Sequence, residues 1–287
     1  MNYRHAFHAG NFADVLKHAV LALVIEHMKL KPAPFRIIDT HAGLGRYDLE
    51  ADEARRTGEW RDGIGRILAA EPPADIAAIL KPYLDVVAEG IPDASTRSLC
   101  TYPGSPLLAR RLMRRADRLV ANELHPEDCE QLAELFSGDP QTKVLALDGW
   151  AVLKSLLPPK ERRGVVLVDP PFEQPGEFAR LARGLRDAVE RFATGTVMLW
   201  YPAKDLRAVA AFQQELIALR LPKLIAVELS VRAPSQDAGL GATGLVILNA
   251  PYTLGSKLQV LMPWLSAMLM QAEGGGWRLL NLGTELI

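Results

Sequence analysis

The chain has 287 residues, 49% of them hydrophobic, with 33 basic against 34 acidic side chains and a formal net charge of -1. The apolar share excludes a disordered chain and provides for a sizeable core, while the charge balance excludes polyanion binding by the molecule as a whole, so any nucleic-acid partner must be held by a local basic patch. Two cysteines, Cys100 and Cys129, both outside any Cys-x-x-Cys pair, exclude a thiolate zinc site and a disulfide framework.

The N-terminus lacks the charge, apolar core and small-residue order of a signal peptide, and the run Ala19 to Ile25 is too short to span a bilayer; a cytoplasmic protein with no membrane partner is expected. Asn11 is placed to cap a helix reaching about Leu30, with Phe12, Leu16, Ala19, Leu23 and His27 on one stripe. Pro32 and Pro34 break it, and Phe35 to Asp39 reads as a strand followed by Thr40-His-Ala-Gly-Leu-Gly45. From about Tyr47 to Leu99 the chain is charged or alanine-rich, with helical periods, Pro72-Pro73 and Pro82, but no buried strand. Arg118–Glu123, Lys143–Asp148, Gly164–Asp169, Gly195–Tyr201, Leu224–Val231 and Gly244–Asn249 then alternate mostly with helical stretches. The pattern predicts an α/β fold with a seven-stranded, Rossmann-like, mostly parallel sheet. One antiparallel strand is expected at its end, because the last two strands are joined without an obvious helix. Residues 1–47 and 101–287 would form the sheet domain and residues 48–100 an inserted helical subdomain.

Open sheets of this kind bind ligands outside the carboxyl ends of their strands. Four predicted strands end there in acids: Asp39, Glu123, Asp148 and Asp169. Gly43 and Gly45 follow the first and let the backbone approach a ligand, but the third glycine of the nicotinamide fingerprint is replaced by Asp48. Glu123, a surface acid in the plainer reading, can accept hydrogen bonds from two ribose hydroxyls. Asp148 can accept one from an adenine amino group, with Gly149 leaving room for the ring. In that order they suit S-adenosylmethionine better than a dinucleotide. His5-x-x-His8 has nothing to complete a metal site, and no metal is expected.

The stretch Val168-Asp-Pro-Pro-Phe-Glu173 completes the chemistry. The exocyclic amine of adenine is a poor nucleophile because its lone pair is delocalised into the ring. Asp169 can accept one of its N–H groups and the carbonyl of Pro170, held by a fixed φ, the other. Phe172 offers a face on which a flipped base can stack. These groups would act by positioning and electrostatics.

Asp169-Pro-Pro-Phe172 resembles the Asp/Asn-Pro-Pro-aromatic motif of amino-group methyltransferases. Together with Tyr3-Arg-His-Ala-Phe-His-Ala-Gly-Asn11, Ala13-Asp-Val-Leu-Lys-His18, Asp39-Thr-His-Ala-Gly43, Tyr102-Pro-Gly-Ser-Pro106, Glu123-Leu-His-Pro126, Arg162-Arg-Gly164, Arg191-Phe-Ala-Thr-Gly195 and Leu199-Trp-Tyr-Pro202, it makes the chain similar, from Tyr3 to about Leu265, to the bacterial 23S ribosomal RNA (adenine-N6)-methyltransferase family, class I S-adenosylmethionine-dependent enzymes of the RlmJ type. The resemblance implies a methyltransferase fold with a helical insertion and methylation of the large-subunit RNA adenine numbered 2030, on naked RNA or in a pre-50S particle. It also implies cofactor contacts at His18, His41, Ser105, Glu123, Asp148, Gly149 and Asp169, and an RNA contact at Tyr3. The family commonly carries tyrosine at the position of Phe172, a change that preserves stacking.

Other residues keep two readings. His18 is a solvated helix residue or, by the resemblance, a ligand contact; Lys17 beside it is solvated or touches cofactor or RNA. Ser105 and Pro106 read as a helix cap and first helical residue, where the methionine carboxylate can sit. Arg110 with Arg114, and Arg111 with Arg115, would share helix faces as a phosphate-binding patch or a solvated basic face. Trp200-Tyr201 belongs to the core or to the base pocket. The competing functions are a DNA adenine-N6 methyltransferase and a non-catalytic S-adenosylmethionine-dependent RNA-binding protein; a monomer is expected.

Overall fold

The computed structural model describes residues 4–92, 98–233 and 239–285. Tyr3, the expected RNA contact, lies outside the described residues. A 3-10 turn, His5–Phe7, leads to helix α1 (Phe12–Lys29). Asn11 caps it: its side-chain oxygen accepts from the backbone N–H groups of Ala13 and Asp14 at 2.9 and 3.1 Å. The helix is buried nearly all round rather than along one stripe. Lys17 and His18, which the stripe left on a solvated face, are 4% and 1% exposed.

Strand β1 (Arg36–Asp39) leads to β2 (Arg46–Asp48), and four helices follow: α2 (Asp52–Thr57), α3 (Glu59–Asp62), α4 (Ile64–Ala69) and α5 (Ala74–Ala88). β3 (Thr101–Pro103) then pairs antiparallel with β2, Tyr47 opposite Tyr102. The rest alternates: α6 (Ser105–Leu112), β4 (Arg118–Asn122), α7 (Pro126–Leu135), β5 (Thr142–Leu145), α8 (Gly149–Ser155), β6 (Gly164–Val168), α9 (Glu177–Arg191), β7 (Thr196–Pro202), α10 (Leu206–Ala218), β8 (Leu224–Ser230), β9 (Ala242–Leu248), α11 (Leu254–Leu269) and β10 (Gly276–Asn281).

The main sheet runs β10-β8-β9-β7-β6-β1-β4-β5 and has 8 strands, not seven. β5, β4, β1, β6 and β7 are parallel; β9 is antiparallel between β7 and β8, and β10 is antiparallel on the outside of β8. The antiparallel element is therefore neither single nor confined to the sheet's end. Gly276-Trp-Arg-Leu-Leu-Asn281 gave no strand signal because it follows a glycine run and contains no β-branched residue.

Side chains alternate across the sheet with the strand period of two. Ile37, Val165, Leu167 and Met198 join a core with α1, α5, α6 and α11. Ile38, Val166, Val168 and Leu199 join the core on the other face, with α8, α9 and α10. β6 is buried at every position, as a central parallel strand should be, and it delivers Asp169 to the carboxyl edge. No helix among the described residues is long and apolar enough to cross a membrane.

Candidate active site

The five parallel strands end on one edge, above which lies a cavity of about 320 Å³. It gathers His18, His41, Gly43, Ser105, Glu123, Asp148, Gly149, Asp169 and Pro170 on its walls. Three of the acid-ended strands stop earlier than expected, β4 at Asn122, β5 at Leu145 and β6 at Val168, so Glu123, Asp148 and Asp169 stand on the following loops.

Asn122, which no motif signalled, holds those loops together. Its amide donates to the carbonyls of Thr40 and Leu147 at 2.9 and 2.8 Å and accepts from the Leu147 N–H at 3.0 Å. Each Glu123 oxygen accepts a backbone N–H at 2.8 Å, one from Gly43 and one from His125, which fixes the carboxylate while leaving lone pairs for further donors. Gly43 sits at a φ of 60°, and a Cβ there would lie 2.2 Å from the Tyr47 hydroxyl, so only glycine fits. Asp148 caps α8 with one oxygen, accepting from Trp150 and Ala151 N–H at 2.9 and 3.0 Å.

Burial pushes the His41 imidazole down to about 4, so the ring is neutral at pH 7. Its Nδ1 lies 2.8 Å from the Thr40 hydroxyl, whose proton goes to the Leu167 carbonyl at 3.0 Å. His41 Nδ1 therefore carries the proton and Nε2 is left as an acceptor.

Ser105 is the first residue of α6 and Gly104 its cap, correcting the expected cap. The Ser105 hydroxyl instead donates to Asp39 at 2.6 Å. Asp39 is fully buried, and desolvation, opposed by that hydrogen bond and reinforced by Asp169, pushes its carboxyl up to about 7. Its pKa rises on folding, so the protonated form stabilises the fold, and that stability is lost as pH rises from about 4 to about 7. Asp39→Asn should therefore gain on the wild type across that window by a few kcal/mol, at ~1.4 kcal/mol per pKa unit. Denaturant titrations at several pH values would check this; a pH-independent difference would contradict it.

Lys17 is not solvated. Its ammonium lies between two carboxylates, 2.8 Å from Asp14 and 2.5 Å from Asp169. Asp14, another residue the motifs did not single out, also accepts from the Gly10 N–H at 2.8 Å and lies 2.9 Å from His5 Nε2. The neighbouring cations hold Asp14 well below the usual carboxylate range against its burial, and the two carboxylates hold Lys17 well above its own.

Three expected contacts stand away from the cavity. Phe172 adopts a φ of 53° and packs edge-on against Phe178 and Trp200, at centroid distances of 5.1 and 5.8 Å, in the core beside β7. Its ring is not on the cavity wall. α6 ends at Leu112, so Arg114 lies beyond the helix and cannot share a face with Arg110. Arg110 forms a two-pronged pair with Asp139 at 2.5 and 3.0 Å. Arg114 pairs with Asp117 and donates to the carbonyls of Lys31 and Ala33, bracing the turn after α1. Glu177 and Gln174, unmarked in the sequence, join the cavity wall.

The model of the family described as "Ribosomal RNA large subunit methyltransferase D, RlmJ" matches residues 32–281. The chain is 41% identical over 275 residues to Ribosomal RNA large subunit methyltransferase J of Escherichia coli (strain K12), covering 96% of each chain. To the protein of that name from Haemophilus influenzae it is 40% identical over 278 residues, covering 96% of this chain and 97% of that one. The crystal structure of a protein from Legionella pneumophila (str. Philadelphia 1) has the same fold, with a TM-score of 0.87 at 28% identity, over 97% of this chain and 100% of that one.

Proposed function

The chain belongs to the RlmJ family of ribosomal RNA large subunit methyltransferases, and from that premise we propose that it methylates the N6 amino group of an adenine in 23S ribosomal RNA, the one numbered 2030 in the family resemblance, using S-adenosylmethionine. The observation that carries this reading is the meeting of Asp169 and Pro170, at the end of β6, with Glu123, Asp148 and Gly149 around one cavity.

The residues fit the cofactor by their chemistry. Glu123 supplies a fixed carboxylate for two ribose hydroxyls, and Asp148 keeps one oxygen free of its capping role for an amino group. His18 Nε2 is a buried nitrogen with no hydrogen-bond partner among the described residues. At Gly149 a Cβ would stand 2.6 Å from the His41 ring and 2.8 Å from the Thr40 carbonyl. Bound there, S-adenosylmethionine supplies an electrophilic methyl group. Asp169 and the Pro170 carbonyl accept the two N–H groups of the target amine and orient its lone pair. For Phe172 to stack on the base, its ring has to turn from Phe178 and Trp200 toward the cavity.

Residues 48–100 are read as an inserted helical subdomain, with residues 1–47 and 101–287 as the methyltransferase domain; the β2–β3 ladder at its base supports that division. The protein is read as a cytoplasmic monomer. With Arg110 and Arg114 engaged in intramolecular pairs, and Lys17 buried between Asp14 and Asp169, the RNA contact is assigned first to Tyr3.

Gly149→Ala should weaken S-adenosylhomocysteine binding about tenfold or more, ~1.4 kcal/mol, by displacing His41; wild-type affinity in calorimetry would contradict the placement. The reading itself is tested by incubating the protein with labelled methyl donor and deproteinised large-subunit RNA, ribosomal particles or duplex DNA, then mapping the modified base. N6-methyladenosine in the RNA is expected. Label in DNA alone would favour a DNA enzyme, and cofactor binding without transfer to any substrate a non-catalytic RNA-binding protein.

A further inference from the structure

We propose that Tyr102 is a positioning residue that fixes His18 as the Nε2–H tautomer, leaving a neutral ring N–H as donor to the carboxylate at the amino-acid end of the cofactor. The inference rests on the reading of the cavity as an S-adenosylmethionine site. It assigns a role to the tyrosine of Tyr102-Pro-Gly-Ser-Pro106, which the proposed chemistry leaves without one.

His18 Nδ1 lies 2.7 Å from the Tyr102 hydroxyl, which lies 2.9 Å from the hydroxyl of Tyr83 on α5. All three side chains are buried. Three proton arrangements are possible, and the one in which Nδ1–H and Tyr83 both donate to Tyr102 leaves the Tyr102 proton with no acceptor among the described residues; two remain. In the first, Tyr83 donates to Tyr102, Tyr102 donates to Nδ1, and the imidazole proton sits on Nε2; each hydroxyl proton has an acceptor. In the second the direction reverses, and the Tyr83 proton is left in a buried place with no acceptor among the described residues, at the desolvation cost of an unmade hydrogen bond.

A separate observation biases the ring toward the same tautomer without fixing it. The Asp14 carboxylate lies 4.0 Å from His18 Nε2, and an anion there favours a proton on the nitrogen facing it. Burial, assisted by the Lys17 cation and opposed by Asp14, pushes the imidazole down to about 3, so the ring is neutral at pH 7. Stacking on Tyr102, with centroids 5.5 Å apart and planes at 24°, holds its orientation. Of its two ring nitrogens, Nε2 is then the one without a hydrogen-bond partner among the described residues, in a side chain that lines the cavity. As an N–H it suits a carboxylate and repels an ammonium. Tyr83 thus links the segment between β2 and β3 to the cavity wall through Tyr102 and His18.

The test reads the tautomer and the affinity separately. In ligand-free protein labelled with 15N-histidine, long-range proton–nitrogen correlation should show His18 as Nε2–H in the wild type and in Tyr83→Phe, and as a mixture in Tyr102→Phe. S-adenosylhomocysteine affinity by calorimetry should fall about tenfold or more in Tyr102→Phe. His18→Gln, whose amide nitrogen stands where Nε2 does, should keep most of the affinity; His18→Asn, whose amide reaches only the Nδ1 position, should lose it. An Nδ1–H ring in the wild type, an unchanged tautomer and affinity in Tyr102→Phe, or equal binding by the two His18 variants would overturn the proposal. If the wild type bound no S-adenosylhomocysteine while His18 still read Nε2–H, the cofactor reading would fail, and the carboxylate half of the proposal with it.

Discussion

Asp169→Ala is expected to lower methyl transfer by about 10²- to 10³-fold or more, the range for removing one preorganised polar group from a reacting centre. The acceptor for one amine N–H disappears, and the Pro170 carbonyl alone cannot set the direction of the lone pair. The loss should fall on kcat at saturating RNA and cofactor, because the contact matters most as the nitrogen begins to bond to carbon. The fold should survive: Lys17 keeps Asp14 at 2.8 Å, and Asp169 is already at the cavity wall. Asp169→Asn keeps a side-chain carbonyl as acceptor and should recover part of the rate. Single-turnover methylation, with thermal melts as a fold check, decides the matter; an alanine variant with wild-type kcat would remove Asp169 from the chemistry.

Lys17→Met should have the largest effect on stability. The ammonium is buried between the carboxylates of Asp14 and Asp169, and removing one member of a buried ionic cluster costs about 3–5 kcal/mol by leaving charge uncompensated. The sign with pH follows from Asp14. In the wild type its carboxyl is held well below the usual range, so its stabilisation is present above about pH 4 and fades as pH falls through the folded value. Without Lys17 much of that pull is gone, burial raises the carboxyl, and the variant loses stability as pH rises. The gap between the two proteins should therefore be wide near neutrality and narrow toward about pH 4. Urea titrations at both pH values would measure it, and an equal or inverted gap would contradict the geometry.

Much of the site was legible because strand ends impose order. An apolar run that stops in Asp169-Pro-Pro announces a buried central strand and sets a carboxylate and a proline at the cavity edge. Glu123 and Asp148 were found from the same logic, although each stands just beyond its strand. Other features depended on tertiary packing that periodicity does not carry. α1 looked one-sided, yet other elements cover it nearly all round, which buries Lys17 against Asp169, a residue 152 positions away. Asn122 appeared as one more residue of a strand, but its amide ties two loops from different strands. Phe172 was read from its motif; the positive φ that turns its ring toward Phe178 and Trp200 has no signature in Pro-Pro-Phe. The arginines 110 and 114 were placed on one helix, which ends between them at Leu112, where Met113 turns extended. β10 escaped for want of β-branched residues.

The most direct measurement is a crystal structure of the protein with S-adenosylhomocysteine and an adenosine nucleotide. The sulfur is expected on the Asp169 side of the cavity, with the nucleotide's exocyclic nitrogen held by the Asp169 carboxylate and the Pro170 carbonyl. A methyl carbon built on that sulfur should lie about 3–3.5 Å from the nitrogen. A sulfur pointing away from Asp169, or an adenine seated elsewhere with its amino group out of reach of both acceptors, would contradict it.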